Sequence, residues 1–160
     1  MGNIKATKNF LQLAVLQRKV RRVSVMAYVW SEEWATGNET IDAQHKQLVG
    51  AVNELMEACS NGMGSSKLSS TMQFLIDYTS KHFADEEELQ QQYNYPGFRN
   101  HFKLHEAFKA NVNELAKSLQ REGANISLVA KVNSRIRGWL VNHMQREDKK
   151  VAEYIRRQTG

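Results

Sequence analysis

The chain carries five histidines, His45, His82, His101, His105 and His143, and carboxylates stand at regular distances from two of them. His82 and Glu86 are four residues apart, as are His101 and His105, while His143 and Asp148 are five apart. Imidazole mixed with carboxylate is the donor set of borderline transition metals such as iron, not of magnesium or calcium. Seven donors are more than one tetrahedral zinc ion uses. They suit two ions with the carboxylates bridging.

These spacings have meaning only on helices. A helix turns about 100° per residue, so residues four apart stack on one face about 40° from each other. His143 and Asp148 fit less well, at about 140° in a regular helix. Either Asp148 approaches from one turn further along, or a local distortion swings it inward. Apolar neighbours give the direction of the histidines: His45 precedes Leu48 by three, His82 follows Leu75 by seven, His105 precedes Phe108 by three, and His143 follows Trp139 by four. All therefore face a core, where unpaired imidazoles and carboxylates are costly and a bound metal offsets the cost. One such pair alone is a common surface arrangement. Here no histidine is left over.

Four amphipathic segments supply the helices. The first is expected over about 41–60, with Leu48, Val52, Leu55 and Met56 on its stripe, stopped by Asn61-Gly62 and Gly64. The second runs over about 66–92 through Leu68, Met72, Leu75, Ile76, Phe83 and Leu89 to a turn at Tyr95-Pro96-Gly97. The third covers about 99–121 with Phe102, Phe108, Val112, Leu115 and Leu119, ending at Gly123. The fourth covers about 127–157 with Val132, Ile136, Trp139, Leu140, Val151 and Ile155, capped by Asn125 or Ser127. An aromatic, acidic arm containing Trp30 and Trp34 precedes them. Four long helices with short loops predict an all-α, up-down-up-down four-helix bundle.

Composition agrees with one folded domain: 160 residues, 41% hydrophobic, 24% charged and one proline. The formal charge of +5 is concentrated at one end. Residues 1–25 hold six of the 22 basic residues and no acidic one, leaving 16 basic against 17 acidic residues in 26–160. A near-neutral body removes the support for nucleic-acid binding. No stretch reaches the roughly 18 apolar residues of a membrane span, so stable membrane insertion is not expected. A single cysteine, Cys59, excludes an internal disulfide framework and fits a reducing compartment, hence a cytoplasmic protein. Residues 1–25 read as a basic tail, as an organelle transit peptide, or as a stretch preceding a true start at Met26.

The order His45, His82-Phe83-Ala84-Asp85-Glu86, His101 to His105 and His143 to Asp148 resembles the hemerythrin family, bacterial type. So do Gly37-Asn38, Ile41-Asp42 and Gln44-His45-Lys46 in the lead-in, and Tyr95-Pro96 before the third helix. The resemblance covers about 26–157. It implies a four-helix bundle holding two iron ions, with His101, His105 and His143 on one and His45 and His82 on the other. Glu86 and Asp148 would bridge them together with an oxo or hydroxo group. The two-histidine iron would keep a position open for dioxygen, held reversibly as hydroperoxide at a diferric centre. Phe83, Trp139, Leu140 and Met144 would wall a dry pocket. The family often has a branched aliphatic where Met144 stands, and a thioether is flexible and oxidisable.

The function implied is reversible dioxygen binding for storage, delivery or buffering, with an oxygen-consuming recipient protein as a partner and at most weak side oxidase or peroxidase activity. A di-iron oxidase or peroxidase is the alternative, yet such bundles usually carry Glu-x-x-His pairs, and this chain has none. An oxygen-sensing regulatory module is the other. Cys59 reads as structural or incidental. The neighbours of Glu86 in the run Asp85 to Glu88 read as a solvated face, and Lys149 and Lys150 as exposed.

Overall fold

A computed structural model describes residues 27–60, 65–123 and 125–159. A 3-10 turn, Glu32–Trp34, leads into helices α1 (Glu39–Ser60), α2 (Ser65–Gln92) and α3 (Phe98–Glu122). A fourth rod is assembled from α4 (Ile126–Val132), a π turn (Asn133–Arg137), α5 (Gly138–His143), a second π turn (Met144–Asp148) and α6 (Lys149–Thr159). There is no strand among the described residues. Helix α1 packs on α2, α2 on α3, α3 on α4 with its π turn, and α4 returns to α1. The four rods thus close the expected bundle. The basic tail, the stop at 61–64 and the side chain of Cys59 lie outside the described residues.

Local chemistry explains where each rod begins and ends. Asn38 Oδ1 accepts from the backbone N–H groups of Thr40 and Ile41 at 3.0 and 3.1 Å, capping α1. Asp42 in turn accepts from Thr36 N at 2.7 Å, Thr36 Oγ1 at 2.8 Å and Gly37 N at 3.1 Å. Gly37 turns this loop with φ of +85°, a value that favours glycine. Asn38→Ala should cost about 1 kcal/mol, the usual worth of such a cap, readable by urea denaturation. Beyond α2, the Tyr95 N–H bonds back to Gln90 O at 2.8 Å. A Cβ on Gly97 would meet the Tyr95 ring at 2.6 Å, so any larger residue there would have to displace that ring. Asn125, not Ser127, caps the fourth rod: its Oδ1 accepts from Leu128 N at 2.8 Å.

The core follows the predicted stripes, including Leu48, Val52 and Leu55 from α1, Leu68, Met72 and Leu75 from α2, Val112 and Leu115 from α3, and Val132 and Ile136 from the fourth rod. Phe102 departs from its stripe and is exposed at 38%. The inner line of α3 runs His101, His105, Phe108, Val112, and Phe102 lies one 100° step off it. Ile76, Leu89 and Ile155 are half-buried.

The arm is tied across the bundle. Tyr28 N donates to Asn53 Oδ1 at 3.0 Å, and Asn53 Nδ2 donates to Tyr28 O at 2.8 Å. The Arg137 guanidinium lies 4.1 Å over the Tyr28 ring. The Glu32–Trp34 turn rests against the second π turn, and Trp30 reaches within 6.3 Å of the His45 ring.

Candidate metal centre

All seven sequence-selected donors are buried and meet at one level of the bundle. His45 comes from α1, His82 and Glu86 from successive turns of α2, and His101 and His105 from successive turns of α3. His143 closes α5, and Asp148 closes the second π turn. That turn settles the five-residue spacing. A π turn makes i→i+5 bonds, so residues five apart come into line. The Met144 N–H still bonds back to Leu140 O and Val141 O, and the wider turn follows it over Met144–Asp148. Local distortion, the second of the two routes open from sequence, brings Asp148 to His143 with Nε2 to Oδ1 at 3.0 Å.

Each carboxylate splits its oxygens between two sets of histidines. Glu86 Oε1 lies 3.6 Å from His45 Nε2 and 3.8 Å from His82 Nε2. Glu86 Oε2 lies 3.7 Å from His101 Nε2 and 3.4 Å from His105 Nε2. Asp148 Oδ2 faces His45 at 3.2 Å, and Oδ1 faces His101 at 3.3 Å. His143 Nε2 stands 3.0 Å from that of His101 and 3.1 Å from that of His105. The donors thus form two groups that share Glu86: His101, His105 and His143 with both carboxylates, and His45 with His82.

The lone pairs demand a cation. Gln44 Nε2 donates to Asp85, leaving Gln44 Oε1 as the acceptor 2.9 Å from His82 Nδ1. His82 Nδ1 therefore carries the proton, and Nε2 points a bare lone pair inward. His105 has the same arrangement, with Nδ1 2.9 Å from Glu87 Oε1. Burial pushes the Glu86 and Asp148 carboxyls up, but the surrounding imidazoles overcome this and hold both well below the usual range. Burial drives His82 down to about 4. It lowers His45 and His101 too, yet the Asp148 and Glu86 carboxylates beside them carry both up to about 9. Even so, both His45 ring nitrogens, both Asp148 oxygens and Glu86 Oε2 are buried without a hydrogen-bond partner. Buried polar groups are normally partnered, and a pair of bound cations would partner these.

Sequence reasoning missed the groups that orient these rings. Glu87 and Asp85 do not merely face solvent: Glu87 holds His105, and Asp85 holds Gln44, which holds His82. Lys81 clamps Asp85 from outside. Only Glu88 of that run is exposed, and beyond it Lys150 is exposed while Lys149 is half-buried. One signal was available, since Glu87 and Gln44 each flank a candidate ligand in sequence. Partners of this kind set tautomer and ring orientation, and their loss typically weakens metal binding by about 10- to 100-fold. Glu87→Ala and Gln44→Ala should each do so in a competitive chelator titration.

The expected wall residues surround the histidines from the core side. Phe83 stacks on His105 at 3.7 Å between centroids and 1° between planes. Trp139 stacks on His143 at 4.3 Å and on Phe108 at 4.2 Å. Leu140 and Met144 are fully buried in the same core cluster as Phe83.

A closed antiparallel bundle with two histidine–carboxylate groups sharing one glutamate defines a binuclear cation-binding helical protein. The sequence matches the family described as hemerythrin HHE cation binding domain over residues 36–155. It is 32% identical over 128 residues to a bacteriohemerythrin of Pseudomonas aeruginosa, covering 80% of this chain and 81% of that one. It is also 32% identical over 121 residues to a myohemerythrin of Sipunculus nudus, covering 76% and 88%. A solved structure of a hemerythrin point mutant superposes with a TM-score of 0.70 at 29% identity, covering 80% of this chain and 97% of that one. The chain belongs to the hemerythrin family, bacteriohemerythrin type. The family uses a di-iron centre, and this chain has the buried histidine–carboxylate groups to hold one. Among the described residues no helix is long and apolar enough to cross a membrane.

Proposed function

We propose that the chain binds dioxygen reversibly at a di-iron centre, as a store, carrier or buffer of oxygen, and is not an enzyme. His101, His105 and His143 would hold one iron and His45 and His82 the other, with Glu86 and Asp148 as shared ligands. The observation that carries this reading is the division of the carboxylate oxygens between a three-histidine and a two-histidine set. The two-histidine side has one protein donor fewer, which leaves room there for an external ligand. A pair of irons held there would supply the two electrons for reversible dioxygen binding. The protein keeps that exchange reversible by excluding water. Phe83, Trp139, Leu140 and Met144 do this as a packed apolar shell, while Gln44 and Glu87 hold the rings in place. Two carboxylates among seven donors give little anionic support to high-valent iron, which favours binding over oxidation.

The domain that binds oxygen is residues 26–160, with a separate basic segment at 1–25. A cytoplasmic location fits the single cysteine, and an oxygen-consuming recipient protein is the natural partner. The test is gas uptake by the anaerobically iron-loaded protein. One dioxygen per two irons should bind, with a visible absorption change that reverses under vacuum. Irreversible bleaching with turnover of an added reductant would instead establish an oxidase or peroxidase.

A further inference from the structure

A cavity of about 220 Å³ opens on the carboxylate side of the centre, away from the aromatic shell. Glu86 and Asp148 form its floor, Ile41 and Val151 are among its apolar walls, Ala152 is a small residue in its side, and exposed Arg156 stands at its rim. Phe83, Trp139, Leu140 and Met144 do not line it. Of the two floor residues, Asp148 Oδ1 and Oδ2 and Glu86 Oε2 are buried and lack a hydrogen-bond partner. We propose that this cavity is the route by which iron reaches and leaves the centre, taken up as the hydrated divalent ion and met first by Glu86 and Asp148. The inference rests on the di-iron reading above and adds to it a direction of access.

The chemistry of the path suits a ferrous ion. Six waters occupy about 180 Å³ at about 30 Å³ each, so a hydrated ion fits the cavity. Carboxylate oxygens are hard donors that exchange readily for water, whereas the imidazoles lie behind them. Each oxygen faces one of the two histidine sets, so an ion caught on the floor has a donor pair to move to on either side. On the opposite side, rings stacked at 3.7 and 4.3 Å leave no space for a hydrated ion. Arg156 works against a cation at the rim, and its charge sets the rate of approach more than the final affinity.

Two substitutions that spare every donor test the route. Ala152→Phe fills the cavity from its side. Arg156→Glu reverses the charge at its mouth. Anaerobic ferrous uptake and chelator-driven iron release are followed by colorimetric iron assay, without reference to oxygen binding. In Ala152→Phe both rates should fall by about tenfold or more, because each passage requires the ring to swing aside, while the final content stays at two irons per chain. In Arg156→Glu uptake should quicken severalfold at low salt, with the gain lost in 0.5 M salt. Should Ala152→Phe not fold, Ile155→Trp at the half-buried edge replaces it. A wild-type rate in the plugged variant or in Arg156→Glu overturns the route. A wild-type chain that takes up no iron overturns instead the di-iron reading on which the route depends.

Discussion

Glu86→Ala is expected to empty both cation positions together. Its two oxygens face opposite histidine sets, Oε1 at 3.6 Å from His45 and Oε2 at 3.4 Å from His105. Asp148 makes the remaining ion pairs, with His45, His101 and His143. The loss should exceed the about 100-fold penalty typical of removing an outer hydrogen bond to a ligand. Iron per chain, measured after desalting at micromolar concentration, should fall close to zero. His82→Ala makes the contrast, because His82 faces only Glu86 Oε1 and the three-histidine set is left whole. Two irons per chain retained in Glu86→Ala would refute the ligand assignment.

Phe83→Ala is the second large effect, and it acts on stability and on the centre at once. The ring is fully buried, lies flat on His105 and touches Phe108 and Trp139 edge-on at 5.8 and 6.0 Å. Truncating a buried phenylalanine costs about 3–5 kcal/mol. For a chain of this length that lowers the melting temperature by about 10 °C. It also opens the apolar side of His105 to water, so, on the di-iron reading, the iron-loaded protein should lose its capacity to rebind dioxygen faster than wild type. Phe83→Leu separates the two effects: it restores much of the volume while leaving a gap over the imidazole. An unchanged melting temperature in Phe83→Ala would show that the ring does not pack as described.

Much of the site is legible in the sequence because ligation on helices writes itself in steps of four. His82 with Glu86 and His101 with His105 each stack on a regular helix, and apolar residues three, four or seven away give the direction of the core. The fold follows from the same periodicity, with capping residues such as Asn125 marking the ends. What stays hidden is whatever depends on departure from regularity or on contacts between rods. The register of Asp148 requires a backbone that is not α-helical, and nothing in Met144 to Asp148 advertises one. Gln44 and His82 are 38 residues apart in sequence and Glu87 and His105 are 18 apart, so a neighbouring ligand can mark Gln44 and Glu87 as candidates but not name the ring each one holds. Phe102 fails for a simpler reason: in a helix whose inner line is set by histidines, hydrophobicity alone mislocates the face.

The widened turn between His143 and Asp148 has a practical meaning for anyone who would transplant this centre. Grafting the seven side chains onto an idealised bundle, built from straight helices of uniform pitch, would leave Asp148 about 140° around the rod from its histidine. Such a graft would have to delete one residue between the two, or import the irregular backbone along with the side chains. The recipe for the site is thus a list of residues plus one deliberate flaw in the scaffold.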